Sequence, residues 1–201
     1  MELLQPDWNQ SKPTSDEVAN MCEHISLTPI AFQGDVFGQF LKRMRDTHDN
    51  GGAHIASMEI GSDPVFDWFA SRNRLWEENV LSRLVMRPEI RECMPEVFLP
   101  GVLETGPNFK MESSFSVDGH FADMLYFGGA YSRSVGDGSR EKNQSLMVCE
   151  AMFGMRFAEV LYYVSCEQWT HWFKGVAWDY TGILFDLRYR RLWTIAVTDT
   201  D

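Results

Sequence analysis

Three residues with metal-binding side chains lie within six positions of one another in the middle of the chain: Asp118, His120 and Asp123. Carboxylates and an imidazole are donors that a divalent metal ion accepts. A metal site needs three or four converging ligands, however, and an aspartate followed by glycine is also a common turn sequence. We therefore take these residues as candidate metal ligands, with an ordinary turn as the alternative, and the sequence predicts no cofactor.

A glycine-rich segment follows at residues 128–139 and reads GGAYSRSVGDGS. Its glycines, its hydroxyl groups and Arg133 could hold an anion in front of a helix. The segment matches neither the P-loop nor the dinucleotide-binding pattern, because both patterns fix particular glycine or lysine positions. A mobile surface loop is the simpler interpretation. The alternative is a ligand pocket that the segment forms together with Asp118 and His120.

The sequence carries no signature of nucleophilic catalysis. There is no G-x-S-x-G motif, and a pairing of Cys149 or Cys166 with a histidine would rest on residue type alone. The four cysteines are widely spaced and form no C-x-x-C pair, which favours reduced, mostly buried thiols over a zinc or redox site. The sequence therefore favours a protein without enzymatic activity.

Aromatic side chains are dense between residues 169 and 180. Tryptophan and tyrosine combine a large apolar area with a polar group, so they often anchor protein interfaces. The candidate binding residues in this run are Trp172, Trp178, Asp179 and Tyr180. Packing of the same residues in the hydrophobic core is the competing interpretation.

Composition limits the classes of function. The chain has 201 residues, 44% of them hydrophobic, and a formal net charge of -11. These values fit one globular domain over residues 1–201, with residues 1–13 as an N-terminal arm. The negative charge would repel nucleic-acid phosphates and permits a basic protein partner. Neither a membrane-spanning run nor a signal peptide is recognisable, so the sequence predicts a cytoplasmic protein that binds neither nucleic acid nor a membrane.

The elements that must position these candidates are clearest near the end of the sequence. Two runs rich in β-branched and aromatic residues, 181–185 and 192–197, predict a β-hairpin. Three arginines between the runs predict a solvated, charged turn: Arg188, Arg190 and Arg191.

Side chains alternate across a strand, so the second run can be divided into two faces. Trp193, Ile195, Val197 and Asp199 share the bulkier face, which we expect to meet the core. Residues 199–201 are nevertheless expected at a frayed, hydrated chain end, where their removal would change the stability little.

Helix and strand patterns elsewhere complete the prediction. Capping residues and apolar stripes predict helices over 14–25, 35–46 and 63–86, and a further helix that contains Leu146 and Phe153. The predicted strands are Ala53–Ile60, Gly101–Glu104, Phe109–Val117, Phe121–Tyr126 and Ala158–Val164, with a hairpin turn at Asp118-Gly119. The predicted fold is α+β: a mainly antiparallel sheet ends in the C-terminal hairpin, and the three helices of the N-terminal half pack on one face.

Two classes of function fit these observations. The first is a noncatalytic cytosolic binding protein, such as an inhibitor or immunity-type partner of a basic protein. The second is a small-ligand-binding protein or an enzyme with a pocket near Asp118, His120 and the glycine-rich segment. The sequence favours the first class and leaves the partner and the oligomeric state open.

Overall fold

The computed structural model describes residues 2–32, 34–97 and 106–201. Its α-helices are α1 (Ser15–His24), α2 (Val36–Arg45), α3 (Pro64–Ser71), α4 (Val80–Val85), α5 (Pro88–Cys93), α6 (Val117–Phe127) and α7 (Ser139–Phe153). Its strands are β1 (Leu27–Pro29), β2 (Gly52–Ile60), β3 (Lys110–Glu112), β4 (Val160–Ser165), β5 (Tyr180–Asp186) and β6 (Arg191–Thr198). The strand predicted at Gly101–Glu104 lies outside the described residues.

The six strands form one antiparallel sheet in the order β1-β2-β6-β5-β4-β3. The α+β fold and the C-terminal hairpin are therefore confirmed. The hairpin pairs Leu184 with Trp193 and Gly182 with Ile195, and its two strands occupy the centre of the sheet. All seven residues of β5 are buried, because a central strand is covered on both faces.

Helices cover both faces of the sheet, and the expectation that the N-terminal-half helices share one face is wrong. On one face, α1, α3, α4 and α5 pack against a cluster that includes Ile183 and Phe185. On the other face, α2, α6 and α7 pack against a cluster that includes Leu184 and Trp193. The reason is that the central hairpin is apolar on both sides, so each side needs its own helical layer.

Local sequence signals set several helix boundaries as predicted. The side chain of Thr14 accepts a hydrogen bond from the backbone N–H of Glu17, and Glu17 reaches back to the backbone N–H of Thr14. This capping box begins α1, because it satisfies N–H groups that have no partner in the first turn. In the same way Asp63 accepts from the N–H groups of Val65 and Phe66 at the start of α3.

The single helix predicted over 63–86 is wrong, because the chain turns twice within it. Asn73, Glu78 and Asn79 adopt positive φ angles of 54°, 50° and 57°. Asparagine tolerates this left-handed conformation better than most residues, and the conformation ends a right-handed helix. The apolar spacing predicted one buried face, and Phe66, Phe69, Val80 and Leu84 are buried, but Trp76 is 51% exposed and separate helices, α3 and α4, supply the buried residues.

The strand predicted at Phe121–Tyr126 is also wrong, because this segment lies in α6. Val117, Phe121 and Leu125 recur every four residues and are buried, which is the periodicity of one helix face. Asp118-Gly119 consequently lies in the first turn of α6 and makes no hairpin. The strand predicted over Phe109–Val117 shortens to Lys110–Glu112, and a 3-10 turn at Ser114–Ser116 leads into the helix.

The N-terminal arm is fastened to the body of the protein. Leu4 donates its backbone N–H to the carbonyl of Leu187 at 3.1 Å. The indole of Trp68 donates to the carbonyl of Gln10 at 3.2 Å, and Lys12 pairs with Glu77 at 3.1 Å. Residues before Thr14 are therefore bonded to the hairpin turn, to α3 and to the segment that precedes α4.

Ion pairs hold the turn of the hairpin, which was predicted to be solvated: Arg191 is exposed as predicted, whereas Arg188 and Arg190 pair with carboxylates. Asp186 is fully buried and accepts two hydrogen bonds from Arg156, at 3.1 and 2.6 Å. Glu159 accepts from Arg188 at 2.6 and 2.5 Å and from Arg156 at 3.0 Å. Arg190 pairs with Asp67 at 2.7 Å. The arginines stabilise the junction of the hairpin with neighbouring loops.

We expect Trp193→Ala to lower the free energy of unfolding by about 3 to 5 kcal/mol, because the change leaves a large cavity between the sheet and its helices. Trp193 is only 3% exposed, whereas Trp76 is 51% exposed and provides a matched control. Urea denaturation of both variants measures the difference. Equal losses for Trp193→Ala and Trp76→Ala would contradict the packing described for β6.

We expect the stability difference between wild type and Glu159→Gln to depend on pH. Arg188 and Arg156 hold the pKa of the Glu159 carboxyl at about 2, below its usual 4.5. A carboxyl with a lowered pKa in the folded state stabilises the fold above its usual pKa and loses this effect as the pH falls. Urea denaturation between pH 7 and pH 2 should therefore show a difference that shrinks below pH 4.5. A difference that stays constant over this pH range would contradict the ion pairs.

Candidate functional site

Helix α6 points the three candidate metal ligands in different directions. Asp118 is buried and pairs with Lys142 of α7 at 2.5 Å. His120 instead contacts Tyr162 of β4, and Asp123 is exposed. Asp118 lies two and five positions from His120 and Asp123, which places it on another face of the helix, so the three side chains cannot converge. Among the described residues, no group of three His, Cys, Asp or Glu side chains could hold a metal ion.

His120 begins a short chain of hydrogen bonds into the sheet. Its Nδ1 lies 2.7 Å from the hydroxyl of Tyr162, which lies 2.6 Å from the hydroxyl of Tyr180. Burial raises the pKa of Tyr162 and that of Tyr180 far above the usual value, so both remain neutral phenols. Gly182 lies against the Tyr180 hydroxyl, where a Cβ atom would overlap it. These hydrogen bonds link His120, a candidate metal ligand, to Tyr180, a candidate binding residue, and they give the buried tyrosine hydroxyl groups their partners.

The other candidate binding residues lie within the same aromatic run, and Trp172 and Asp179 have partners within the protein. Trp172 is buried and meets the ring of His54 edge to face, with 5.4 Å between the ring centroids. Asp179 is buried and accepts hydrogen bonds from the backbone N–H groups of residues 174, 175 and 176. Trp178 follows this turn and is half-buried. A binding role for these residues stays a prediction.

No protein-family model matches the chain, and no curated protein matches its sequence significantly. None of the helices in the described ranges combines the length and the apolar character needed to cross a membrane. The candidate surface described below is therefore identified from the hydrogen bonds and the exposed side chains of the glycine-rich segment.

The glycine-rich segment is anchored along its length, which differs from the mobile loop that the sequence suggests. Gly129 donates its N–H to the carbonyl of Thr47 at 2.9 Å. Ser134 donates its N–H to the carbonyl of Tyr126 at 2.9 Å, and the Tyr126 hydroxyl donates to the carbonyl of Gly136 at 2.9 Å. Hydrogen bonds to the loop that follows α2 and to α6 thus fix the path of this segment.

Side chains in this segment alternate between the protein and the solvent. Ala130, Ser132 and Ser134 face the body and are half-buried, whereas the three residues between and after them are exposed. Tyr131 is 67% exposed, Val135 is 98% exposed, and Arg133 is also exposed. We refer to residues 130–136 as the ridge, because they present these three side chains outward from a fixed backbone.

A buried ion pair holds the middle of the ridge. Arg43 of α2 donates to the Ser134 hydroxyl at 2.6 Å and pairs with Glu141, which is buried in the first turn of α7. Burial opposes the ionisation of Glu141, but hydrogen bonds from Ser134 and Arg43 outweigh it and keep the carboxyl pKa below its usual value. The charged form of Glu141 therefore fastens the ridge to two helices.

Asp199 holds the start of the ridge, and the expectation that it lies at a hydrated chain end is wrong. Its side chain is fully buried. One carboxylate oxygen accepts the N–H of Ala130 at 2.7 Å, and the other accepts the N–H of Asn50 at 2.9 Å. The sequence contained one correct signal, because the alternation along β6 places Asp199 on the core face with Trp193, Ile195 and Val197.

We expect Gly129→Ala to destabilise the protein by about 1 to 3 kcal/mol, as overpacking of a closed site does. An added Cβ at Gly129 would overlap the Asp199 carboxylate and lie 2.8 Å from the carbonyl oxygen of Thr47. Gly119 is the matched control, since it lies in α6 with nothing within 4 Å of an added Cβ. There, alanine should stabilise the helix by about 0.5 to 1 kcal/mol. Thermal and urea unfolding would contradict this geometry if both variants shifted in the same direction.

Proposed function

We propose that this protein is a noncatalytic binding protein and that it captures a basic protein partner on the ridge. The observation that carries the proposal is the fixed backbone of residues 130–136, which presents Tyr131, Arg133 and Val135 to solvent. Tyrosine and arginine are enriched among the residues that dominate binding energies at protein interfaces. Val135 adds an apolar side chain that has no cover within the described residues.

The hydrogen bonds of the ridge support this proposal energetically. Ordering a flexible loop on binding costs conformational entropy, and a loop that is already fixed avoids much of that cost. In the protein by itself the ridge is bonded to Tyr126, Arg43 and Asp199, and Gly129, which directly precedes it, is bonded to Thr47. Its exposed side chains can therefore enter a partner's pocket without first ordering the backbone.

Charges beside the ridge favour a basic partner. Asp49 accepts a hydrogen bond from the Ser132 hydroxyl at 3.0 Å. Asp137 follows the ridge directly, and hydrogen bonds from the side chain and backbone of Ser139 lower its pKa. Both carboxylates are exposed and make no ion pair within the described residues. Lysine or arginine side chains around a partner's apolar pocket would complement them.

The proposed partner is therefore a protein with an apolar pocket and a basic rim. The net charge of -11 would also accelerate its encounter with such a partner at low salt. An inhibitor or an immunity-type protein that acts in the cytosol is the biological role that we propose. This role requires a tight complex but no chemical step. The exposed side chains of the ridge could form such a complex.

A groove next to the ridge favours small-ligand binding as a second candidate function. It lies between α2 and α7, encloses about 730 Å³ and begins at Ser139, where the glycine-rich segment ends. Lys42, Arg43 and Arg140 line it, but Lys42 pairs with Asp46 at 2.7 Å and Arg43 pairs with Glu141, so among these three Arg140 is the cation without an ion pair within the described residues. A small anionic metabolite would fit this lining. Asp118 and His120 do not line the groove, so the pocket proposed from the sequence would have to form without them.

Capture of partners from an extract of the native cells tests the proposed function. Wild-type protein should retain a basic protein in a 1:1 ratio, and the double variant Tyr131→Ala/Val135→Ser should retain at least about tenfold less, a loss of about 1.4 kcal/mol. The exposed Trp76→Ala is the matched control, and it should bind as wild type does. Raising the salt concentration should weaken capture, because the complementary charges are exposed.

The proposal fails if the double variant and Trp76→Ala retain the same proteins in the same amounts. It also fails if the retained protein is acidic, because the carboxylates beside the ridge would then repel it. A small anion released from purified wild-type protein on denaturation, with no retained protein, would support the groove instead.

A further inference from the structure

We infer that Asp199 is the positioning residue of the ridge, so that partner binding depends on a side chain the partner does not touch. This inference rests on the proposed function. Asp199 follows the last residue of β6 and is fully buried, whereas the side chains that would meet a partner are exposed. Its effect on binding must therefore pass through the backbone of the ridge.

The carboxylate of Asp199 bridges segments that are distant in sequence. Oδ1 accepts the N–H of Asn50 in the loop between α2 and β2, and Oδ2 accepts the N–H of Ala130 in the ridge. Both bonds are of ordinary length, at 2.9 and 2.7 Å. One side chain thus fixes the separation between that loop and the start of the ridge.

Two glycines make this bridge possible. A Cβ atom at Gly129 would overlap the Asp199 carboxylate, and a Cβ atom at Gly51 would overlap the carbonyl oxygen of Thr198. The backbone therefore approaches the end of β6 closely from both sides. The N–H of Gly129, the residue that directly precedes the ridge, also donates to the carbonyl of Thr47 in the α2–β2 loop.

This arrangement requires a side chain with two hydrogen-bond acceptors, one for the N–H of Asn50 and one for the N–H of Ala130. Asparagine has almost the same shape as aspartate, but one of its two terminal groups is an NH₂ donor. In Asp199→Asn one backbone N–H, that of Asn50 or that of Ala130, would face a donor and lose its partner. A buried N–H without a partner is costly, so the backbone at that point should move to reach water.

Hydrogen exchange of the unaltered protein tests the inference without a variant. The Ala130 amide should exchange at least about tenfold more slowly than the amides of Tyr131 and Arg133, because its N–H is bonded to a buried carboxylate. Equal exchange rates for the three amides would overturn the inference.

Asp199→Asn tests whether the effect on the ridge is local. Asp49→Asn is the matched control, since it makes the same chemical change at an exposed carboxylate that touches the ridge through Ser132. In Asp199→Asn the Ala130 amide should exchange at least about tenfold faster, while amides of β5 keep their wild-type rates. Asp49→Asn should leave the Ala130 amide unchanged. Faster exchange throughout the sheet of Asp199→Asn would mean a global loss of stability and would overturn the inference.

Capture of the basic partner then separates this inference from the proposed function. Asp199→Asn should retain at least about tenfold less partner although Tyr131, Arg133 and Val135 are intact. Undiminished capture by Asp199→Asn, alongside faster exchange at Ala130, would overturn the positioning role and leave the proposed function standing. Capture that neither Asp199→Asn nor Tyr131→Ala/Val135→Ser reduces would overturn both.

Discussion

Burial of the central hairpin on both faces is the constraint on which the rest of the structure depends. All of β5, and every residue of β6 after Arg191, is buried. Side chains on the two faces therefore need separate helical layers, and polar groups where the strands end must find partners away from water. Aspartates meet this need: Asp179 and Asp186 bind loop N–H groups at either end of β5, and Asp199 does so after β6.

The sequence predicts elements well where a local signal and the tertiary structure agree. The hairpin followed from its β-branched and aromatic residues, and α1 followed from the capping box at Thr14. Prediction failed where one signal allowed two structures. Asp118-Gly119 is typical of a hairpin turn, but the spacing of Val117, Phe121 and Leu125 decided for a helix because that face could be buried against the sheet.

The candidate site was harder to predict, because its partners are far apart in the sequence. The glycine-rich segment stands out in the sequence, but its anchors on α2 and after β6 leave no local pattern. Asp199 illustrates the difficulty: alternation along the strand placed it on the core face, whereas its position near the end of the sequence suggested hydration. Only the N–H groups of Asn50 and Ala130, which lie 149 and 69 residues away, explain why a carboxylate is buried there.

The strand order has a consequence for synthesis of the protein. β1 pairs with β2 and β3 pairs with β4, so each pair can form while the chain is still growing. The hairpin that joins the two pairs, through β2 with β6 and β4 with β5, is translated after all four. Until it inserts, each half-sheet exposes a strand edge to which another chain could bind. The nascent chain therefore cannot complete its sheet until β5 and β6 have both been translated.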